Sequence, residues 1–272
     1  MGLAGRLISS IDQLGLRRPA ARIATLAYGA AGRHQRFSVD SRGRWVDSQR
    51  EAAIVSAAVH TTPYAVFRNW VIDNWCWAYL PGEGDTVMDV GAGIGEEAVI
   101  FSRLVGPSGR VISIEAQPET FACLEETVRL SGLQNVLPLQ VALSDSDGTV
   151  RITAGDNHLT SSIVKGQDGV EVAARSLDSL AAELELKEIS LLKMNIEGAE
   201  RLAVRGFGNA AFRIRNLCIS CHDFLADRGD GEAFRTKADV KPLLEQDGFV
   251  LTSRPHHPDP WVRDYLYGRG TR

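Results

Sequence analysis

Apolar positions along this chain keep two different spacings. Before residue 80 the spacing is helical. Leu3 to Leu16 reads as an amphipathic helix, ended by Arg17-Arg18-Pro19. Residues 29–45 are basic and turn-rich and predict no element. Residues 49–80 read as helical, with Ile54, Val55, Ala58 and Val59 on one face. A break follows at His60-Thr-Thr-Pro63, and a second segment from Tyr64 to Leu80 carries Trp70, Trp75 and Trp77 as packing aromatics. Beyond Pro81-Gly82-Glu83-Gly84-Asp85 short apolar runs alternate with helical stretches. Strands are predicted over 86–90, 110–115, 136–142, 189–195 and 215–221, and helices over 95–105, 118–131, 177–186, 198–205 and 237–246. Short extended pieces fall at 149–153 and 170–175, and late strands at 249–253 and 262–267. Alternation of this kind calls for a mostly parallel sheet with helices on both faces. The late pair, with no full helix between, is expected as an antiparallel edge hairpin.

The chemistry concentrates where the first of these strands breaks. Val87, Met88 and Val90 lead into Gly91, Gly93 and Gly95, then into a helix. Glycines there permit close backbone approach, and a helix N-terminus offers unpaired N–H groups. A dinucleotide fingerprint wants its third glycine one residue later, where this chain has Glu96. Asp89 before the turn and Glu115 at the next strand end suit a ligand with an ammonium and a ribose but no pyrophosphate. S-adenosylmethionine is such a ligand.

Composition narrows the classes. The 272 residues, 44% hydrophobic and 24% charged, are ordinary for a globular protein. A net charge of −4 gives no general attraction to nucleic acid or anionic membrane. No run of about 18 apolar residues suggests a transmembrane helix. Gly2 invites a myristoyl group, but Arg6 stands where Ser or Thr is wanted. Four cysteines without an export signal point to reduced thiols and a cytoplasmic protein. Cys218-Ile-Ser-Cys221-His222 matches a c-type haem attachment pattern, but it lies inside a predicted core strand, where buried thiols explain it. His256 and His257 are adjacent and diverge along an extended chain, so they form no joint metal site.

The chain resembles the FkbM-type family of class I S-adenosylmethionine-dependent methyltransferases over about residues 80–252. Val87-Met-Asp-Val-Gly-Ala-Gly-Ile-Gly95 is similar to the family's first motif and Glu115-Ala-Gln-Pro118 to its second. Val141-Ala-Leu-Ser-Asp-Ser-Asp-Gly148 is similar to the third-strand motif. Arg175-Ser-Leu-Asp-Ser-Leu180 and Leu192-Lys-Met-Asn-Ile-Glu-Gly-Ala-Glu200 are similar to the paired later motifs. The resemblance implies a Rossmann-like domain over 81–272, with a seven-stranded sheet; residues 1–80 lie outside it and read as a helical extension, with a lid or a dimer arm as the options. It implies methyl transfer from S-adenosylmethionine to an oxygen of a sugar-like, glycolipid or natural-product acceptor. Donor contacts would come from Asp89, Gly91, Ala92, Gly93, Gly95, Glu96, Glu115, Ala116, Ala142 and Asn195.

A hydroxyl acceptor also needs a base or a metal. His222 is the candidate base, with His158 in the polar loop Asn157–Ser162 as a second and Lys193 in a strand-end pocket as a third. Asn195 stands where the family has Asp, so its amide brings oxygen without charge. Asn195, Glu197 and Asp223 form a candidate Mg2+ set. A carboxyl acceptor, which needs no base, and a catalytically silent binding module are the alternatives. The expected partner is a small-molecule acceptor, with no nucleic acid, no stable membrane insertion and a homodimer as an option.

Overall fold

The computed structural model describes residues 15–153, 162–163 and 169–271. Nearly all of the helix expected over 3–16, and His158 with most of its loop, lie outside them.

The N-terminal part departs most from the sequence pattern. Helix α1 (Arg17–Ala30) begins where a helix was expected to end. Pro19 lies in its first turn, where a missing N–H costs nothing. Its buried face, Ala20, Ala21, Ala24 and Tyr28, packs on Phe37 and Trp45. Strands β1 (Arg36–Val39), β2 (Trp45–Ser48) and β3 (Ala53–Ser56) then form an antiparallel sheet. The helix expected across 49–60 is therefore a strand at Ile54 and Val55. These β-branched residues suit a strand, and partners from far along the chain complete it. Val55 N–H donates to Thr127 Oγ1 and Ala53 N–H to Ser131 Oγ, both at 2.9 Å. Helix α2 (Tyr64–Asn74) follows as expected, but ends before Leu80.

The main sheet has seven strands, in the order Phe249–Thr252, Tyr265–Gly270, Ile214–Ser220, Ile189–Met194, Thr86–Val90, Arg110–Ile114 and Val136–Leu139. Strands β4 (Thr86–Val90), β5 (Arg110–Ile114) and β6 (Val136–Leu139) run parallel, separated by α3 (Glu96–Val105) and α4 (Pro118–Leu130). Pro118 opens α4, and Gln117 caps it by accepting from Thr120 N–H at 2.6 Å. The chain next forms a small second sheet from β7 (Ala142–Leu143), β8 (Gly148–Thr153), β9 (Ser162–Ile163) and β10 (Val170–Arg175). Residues 136–142, expected as one strand, are thus divided between two sheets.

After α5 (Leu177–Glu183), strand β11 (Ile189–Met194) enters the centre of the main sheet with every residue buried. Parallel strands covered on both faces are rich in apolar residues, and Ile189, Leu191, Leu192 and Met194 made this one legible despite Ser190 and Lys193. Helix α6 (Glu200–Arg205), strand β12 (Ile214–Ser220), and helices α7 (Asp223–Arg228) and α8 (Lys237–Gln246) follow. The edge hairpin is present: β13 (Phe249–Thr252) pairs antiparallel with β14 (Tyr265–Gly270), itself antiparallel to β12. The second hairpin strand starts later than expected because Pro260–Arg263 forms a helical turn, α9. All four cysteines are buried and free, Cys218 within β12 and Cys221 just past its end. His222 is buried as well, so the haem-like pattern is part of the core.

Two packed layers place the site. On one face of the sheet α2, through Val71 and Trp75, shares a core with Phe101, Tyr265 and Tyr267. At one end, Val46, Ile54 and Val55 of the N-terminal sheet pack with Ala92 and Ile94 of the glycine turn and with Leu124 of α4. The turn is therefore gripped by the N-terminal sheet as well as by α4. Among the described residues no helix is long and apolar enough to cross a membrane.

Candidate active site

A cleft of about 720 Å³, counting its open mouth, lies at the C-terminal ends of β4, β5 and β11. Open α/β sheets bind ligands at this edge. Gly91, Gly93, Glu115, Ala116, Ala142, Asn195 and Glu197, seven of the residues singled out in the sequence, line it. Gln117 and Val141, which fell inside the quoted motifs without an assigned role, also line it, as does Ile152, which carried no local signal. Ile152 comes from the small sheet, whose position next to the cleft is a tertiary fact.

Backbone geometry explains the first two glycines. Gly91 has φ +73°, and a Cβ there would lie 2.0 Å from the carbonyl oxygen of Asn195. Gly93 has φ +55°, and a Cβ there would meet nothing within 4 Å. Its open side belongs to the cleft, where a ligand can come directly against main chain. Glu115 fixes this turn. Its Oε2 accepts from Gly93 N–H at 3.0 Å and its Oε1 from Gln117 N–H at 2.8 Å. Burial pushes the Glu115 carboxyl up to about 7, against the pull of those two N–H groups. Lone pairs remain on both oxygens at the cleft wall, a geometry suited to a pair of ligand hydroxyls.

Several expected donor contacts do other work. Ala92 is fully buried in the core shared with the N-terminal sheet. Gly95 is packed against Leu124 and Thr127 of α4, which leave no room for a side chain. Glu96 is turned to His60, with Oε1 2.7 Å from the imidazole Nε2. Asp89 is fully buried beside Lys193, whose Nζ lies 2.8 Å from Asp89 Oδ1 and donates to Gly91 O at 3.0 Å. The ammonium also lies 5.1 Å from the ring centroid of Trp75. Burial opposes the Lys193 charge, but Asp89 and Glu97 carry its pKa above the ordinary value. Lys193 is thus a structural cation beneath the glycine turn, with no proton to exchange in the cleft.

His222 is likewise committed. It is 4% exposed, with Nδ1 2.9 Å from Glu200 Oε1 and Nε2 3.1 Å from Asn195 Oδ1. Glu200 is fully buried and also accepts from Gly198 N–H through both oxygens, at 3.1 and 3.0 Å. Burial works against the imidazolium, but the Glu200 carboxylate outweighs it and raises the His222 pKa. An imidazolium donates from both nitrogens, which matches both partners and leaves no lone pair for a base.

Glu197 faces the cleft from the β11–α6 turn. Its φ of +49° is one of two positive values at non-glycine residues among those described. Such backbone costs about 1–3 kcal/mol and concentrates at functional sites. Burial pushes its carboxyl up to about 7, with His222 pulling it down and Glu200 pushing it further up. Asp223 does not join it. Its Oδ1 accepts from Thr236 N–H at 2.9 Å and Lys237 N–H at 3.0 Å, capping the start of α8. The expected set of Asn195, Glu197 and Asp223 is therefore not assembled, because Asp223 is spent on a helix terminus. Among the described residues no three His, Cys, Asp or Glu side chains are grouped to hold a metal.

The strand order, the glycine turn and the acid at the second strand end define a class I methyltransferase, dependent on S-adenosylmethionine. The methyltransferase FkbM domain family matches residues 89–251, and the chain belongs to that family. Methyltransferase 1 of Beauveria bassiana is 25% identical over 217 residues, covering 70% of this chain and 83% of that protein. The hexuronic acid methyltransferase AglP of Haloferax volcanii is 29% identical over 146 residues, covering 52% of this chain and 57% of AglP. Among solved structures, an FkbM methyltransferase from Methylobacillus flagellatus KT superposes with a TM-score of 0.50 at 19% identity. That match covers 70% of this chain and 45% of the other, and shows a shared fold.

Proposed function

We propose that the protein transfers a methyl group from S-adenosylmethionine to a hydroxyl of a sugar-like or glycosylated small molecule, with Glu197 receiving the proton. S-adenosylmethionine, when bound, supplies a methyl group already activated on a sulfonium. Gly91, Gly93, Glu115 and Ala142 would hold it, the open side of Gly93 admitting the ligand and Glu115 accepting from the ribose hydroxyls. What remains for the chain is to align the acceptor, exclude water and take up a proton. As the acceptor oxygen forms its bond to the methyl carbon and the carbon–sulfur bond breaks, the hydroxyl proton passes to the Glu197 carboxylate. The products are a methyl ether and S-adenosylhomocysteine.

Glu197 carries this assignment. It is the cleft-lining carboxyl held in strained backbone and tuned to about 7, near the optimum for a base at neutral pH. His222, the base expected from the sequence, has both nitrogens engaged. The likeness to a hexuronic acid methyltransferase supports a sugar acceptor.

The same His222 geometry favours a second reading, methyl transfer to a carboxylate, which needs no base. The test is calorimetric titration with S-adenosylmethionine and S-adenosylhomocysteine, then mass-spectrometric turnover on neutral sugars and uronic acids. Loss of turnover in Glu197→Gln on a hydroxyl acceptor supports the first reading. Full turnover of that variant, with methyl found on a carboxyl, establishes the second.

A further inference from the structure

We infer that His60 is a positioning residue for the methyl donor, through which the N-terminal sheet holds the glycine turn in its ligand-binding shape. The inference rests on the donor lying over Gly93 and Glu115, as proposed above.

The turn needs external support. Gly91, Gly93 and Gly95 all occupy left-handed backbone within five residues. Glycine loses more conformational freedom on ordering than any other residue, so a turn of this kind binds well only if it is fixed beforehand. Its own domain fixes Gly91 through Asn195 and Gly93 through Glu115. The helix end of the turn, at Glu96, is fixed from elsewhere.

His60 Nε2 lies 2.7 Å from Glu96 Oε1, and on the other side His60 Nδ1 lies 3.6 Å from Asp47 Oδ2. Asp47, on β2, is 1% exposed and accepts from Gln35 Nε2 and Gln49 Nε2, each at 2.9 Å. Gln49 Oε1 in turn accepts from Tyr64 N–H at 2.7 Å, which ties the start of α2 to the same cluster. The chain Asp47–His60–Glu96 therefore runs from the N-terminal sheet to the first residue of α3. It lies beside the apolar contact of Val46, Ile54 and Val55 with Ala92 and Ile94. The imidazole sits in hydrogen-bond contact with Glu96 and within ion-pair distance of Asp47, and although burial opposes its charge, these two carboxylates raise its pKa to about 10. Replacing His60 by alanine would leave Glu96 and Asp47 without that partner and free the turn.

Donor affinity tests this, measured by calorimetry with S-adenosylhomocysteine on the full chain, with donor-free thermal unfolding run in parallel. His60→Ala is expected to weaken binding about tenfold, His60→Gln to recover part of that by keeping a donor to Glu96, and Glu96→Gln to add little to His60→Ala. A merely structural role would lower the unfolding temperature of His60→Ala while the folded protein kept wild-type affinity, and that result overturns the inference. Should His60→Ala fail to fold, Glu96→Ala decides, since it removes the acceptor for His60 and wild-type affinity in that variant overturns the inference equally. A wild-type chain that binds no donor removes the donor assignment and this inference together. Wild-type binding alongside unchanged variants removes the inference alone.

Discussion

Lys193 and Asp89 face each other in register across neighbouring parallel strands, with Nζ 2.8 Å from Oδ1 and neither side chain more than 1% exposed. The ammonium also donates to the carbonyl of Gly91, so one buried ion pair joins the two central strands and anchors the start of the glycine turn. A buried pair contributes little net stability, but removing one member strands the other. Lys193→Met is expected to destabilise the protein by about 3–5 kcal/mol in urea unfolding, and Asp89→Asn by a similar amount. The double substitution Asp89→Leu with Lys193→Met should cost less than the sum of the single changes. Additive losses would show that the pair acts as two independent groups.

The legibility of these features followed how local their causes are. Strand β4 matched its predicted bounds, and β11 was one residue shorter than predicted, because both are short, mostly apolar segments bounded by turns. The turn at Gly91, Gly93 and Gly95 announced itself through composition, and Glu115 through its place at the next strand end. By contrast, the N–H groups of Ala53 and Val55 find their partners 78 and 72 residues away, so that strand looked like a helix. His222 was visible as a strand-end histidine, but its engagement depends on Glu200 and Asn195, 22 and 27 residues distant. Asp223 resembled a metal ligand only until its helix-capping role was in view. His60 gave no signal beyond a break in a helical pattern, since both its partners are tertiary.

Glu115 should decide donor affinity. Glu115→Gln keeps one acceptor oxygen but turns an amide toward either the Gly93 N–H or a ribose hydroxyl. Binding of S-adenosylmethionine is expected to weaken about tenfold, roughly 1.4 kcal/mol, with far-ultraviolet circular dichroism unchanged. Unchanged affinity in calorimetry would place the ribose elsewhere.

His60 should leave a mark on stability as a function of pH. Its folded pKa is raised from 6.5 to about 10 by Glu96 and Asp47. A raised pKa means the folded state holds the proton more tightly. The contribution is then fully present below about 6.5 and is lost as pH rises toward about 10. Denaturant unfolding across that window should show a fall in stability that is absent in His60→Ala. Parallel curves for the two proteins would show that His60 is not the group responsible.

Thr127 is expected to hold the N-terminal sheet to α4. Its Oγ1 accepts from the buried N–H of Val55, and Thr127→Val keeps the shape while removing that acceptor. An unsatisfied buried N–H costs about 1–3 kcal/mol, so unfolding of this variant should be easier by that amount. A smaller change would mean the strand finds another partner.

The substitution of Asn195 ties the catalytic proposal to a measurable pH profile. If Glu197 is the base, turnover at low donor and acceptor concentration should rise as pH increases through about 7, where its carboxyl loses its proton. Asn195→Asp adds a negative charge to the same cleft, two residues from Glu197 along the chain and against the imidazolium of His222. The new carboxylate would pair with His222 Nε2, so folding should be preserved. It would also take up part of the positive charge that now holds the Glu197 pKa down. Both effects disfavour ionisation of Glu197, so the acid limb of the profile should move to higher pH, with a lower rate below the limb and little change above it. A limb that stays in place in Asn195→Asp, or that survives in Glu197→Gln, would assign the proton transfer to a different group.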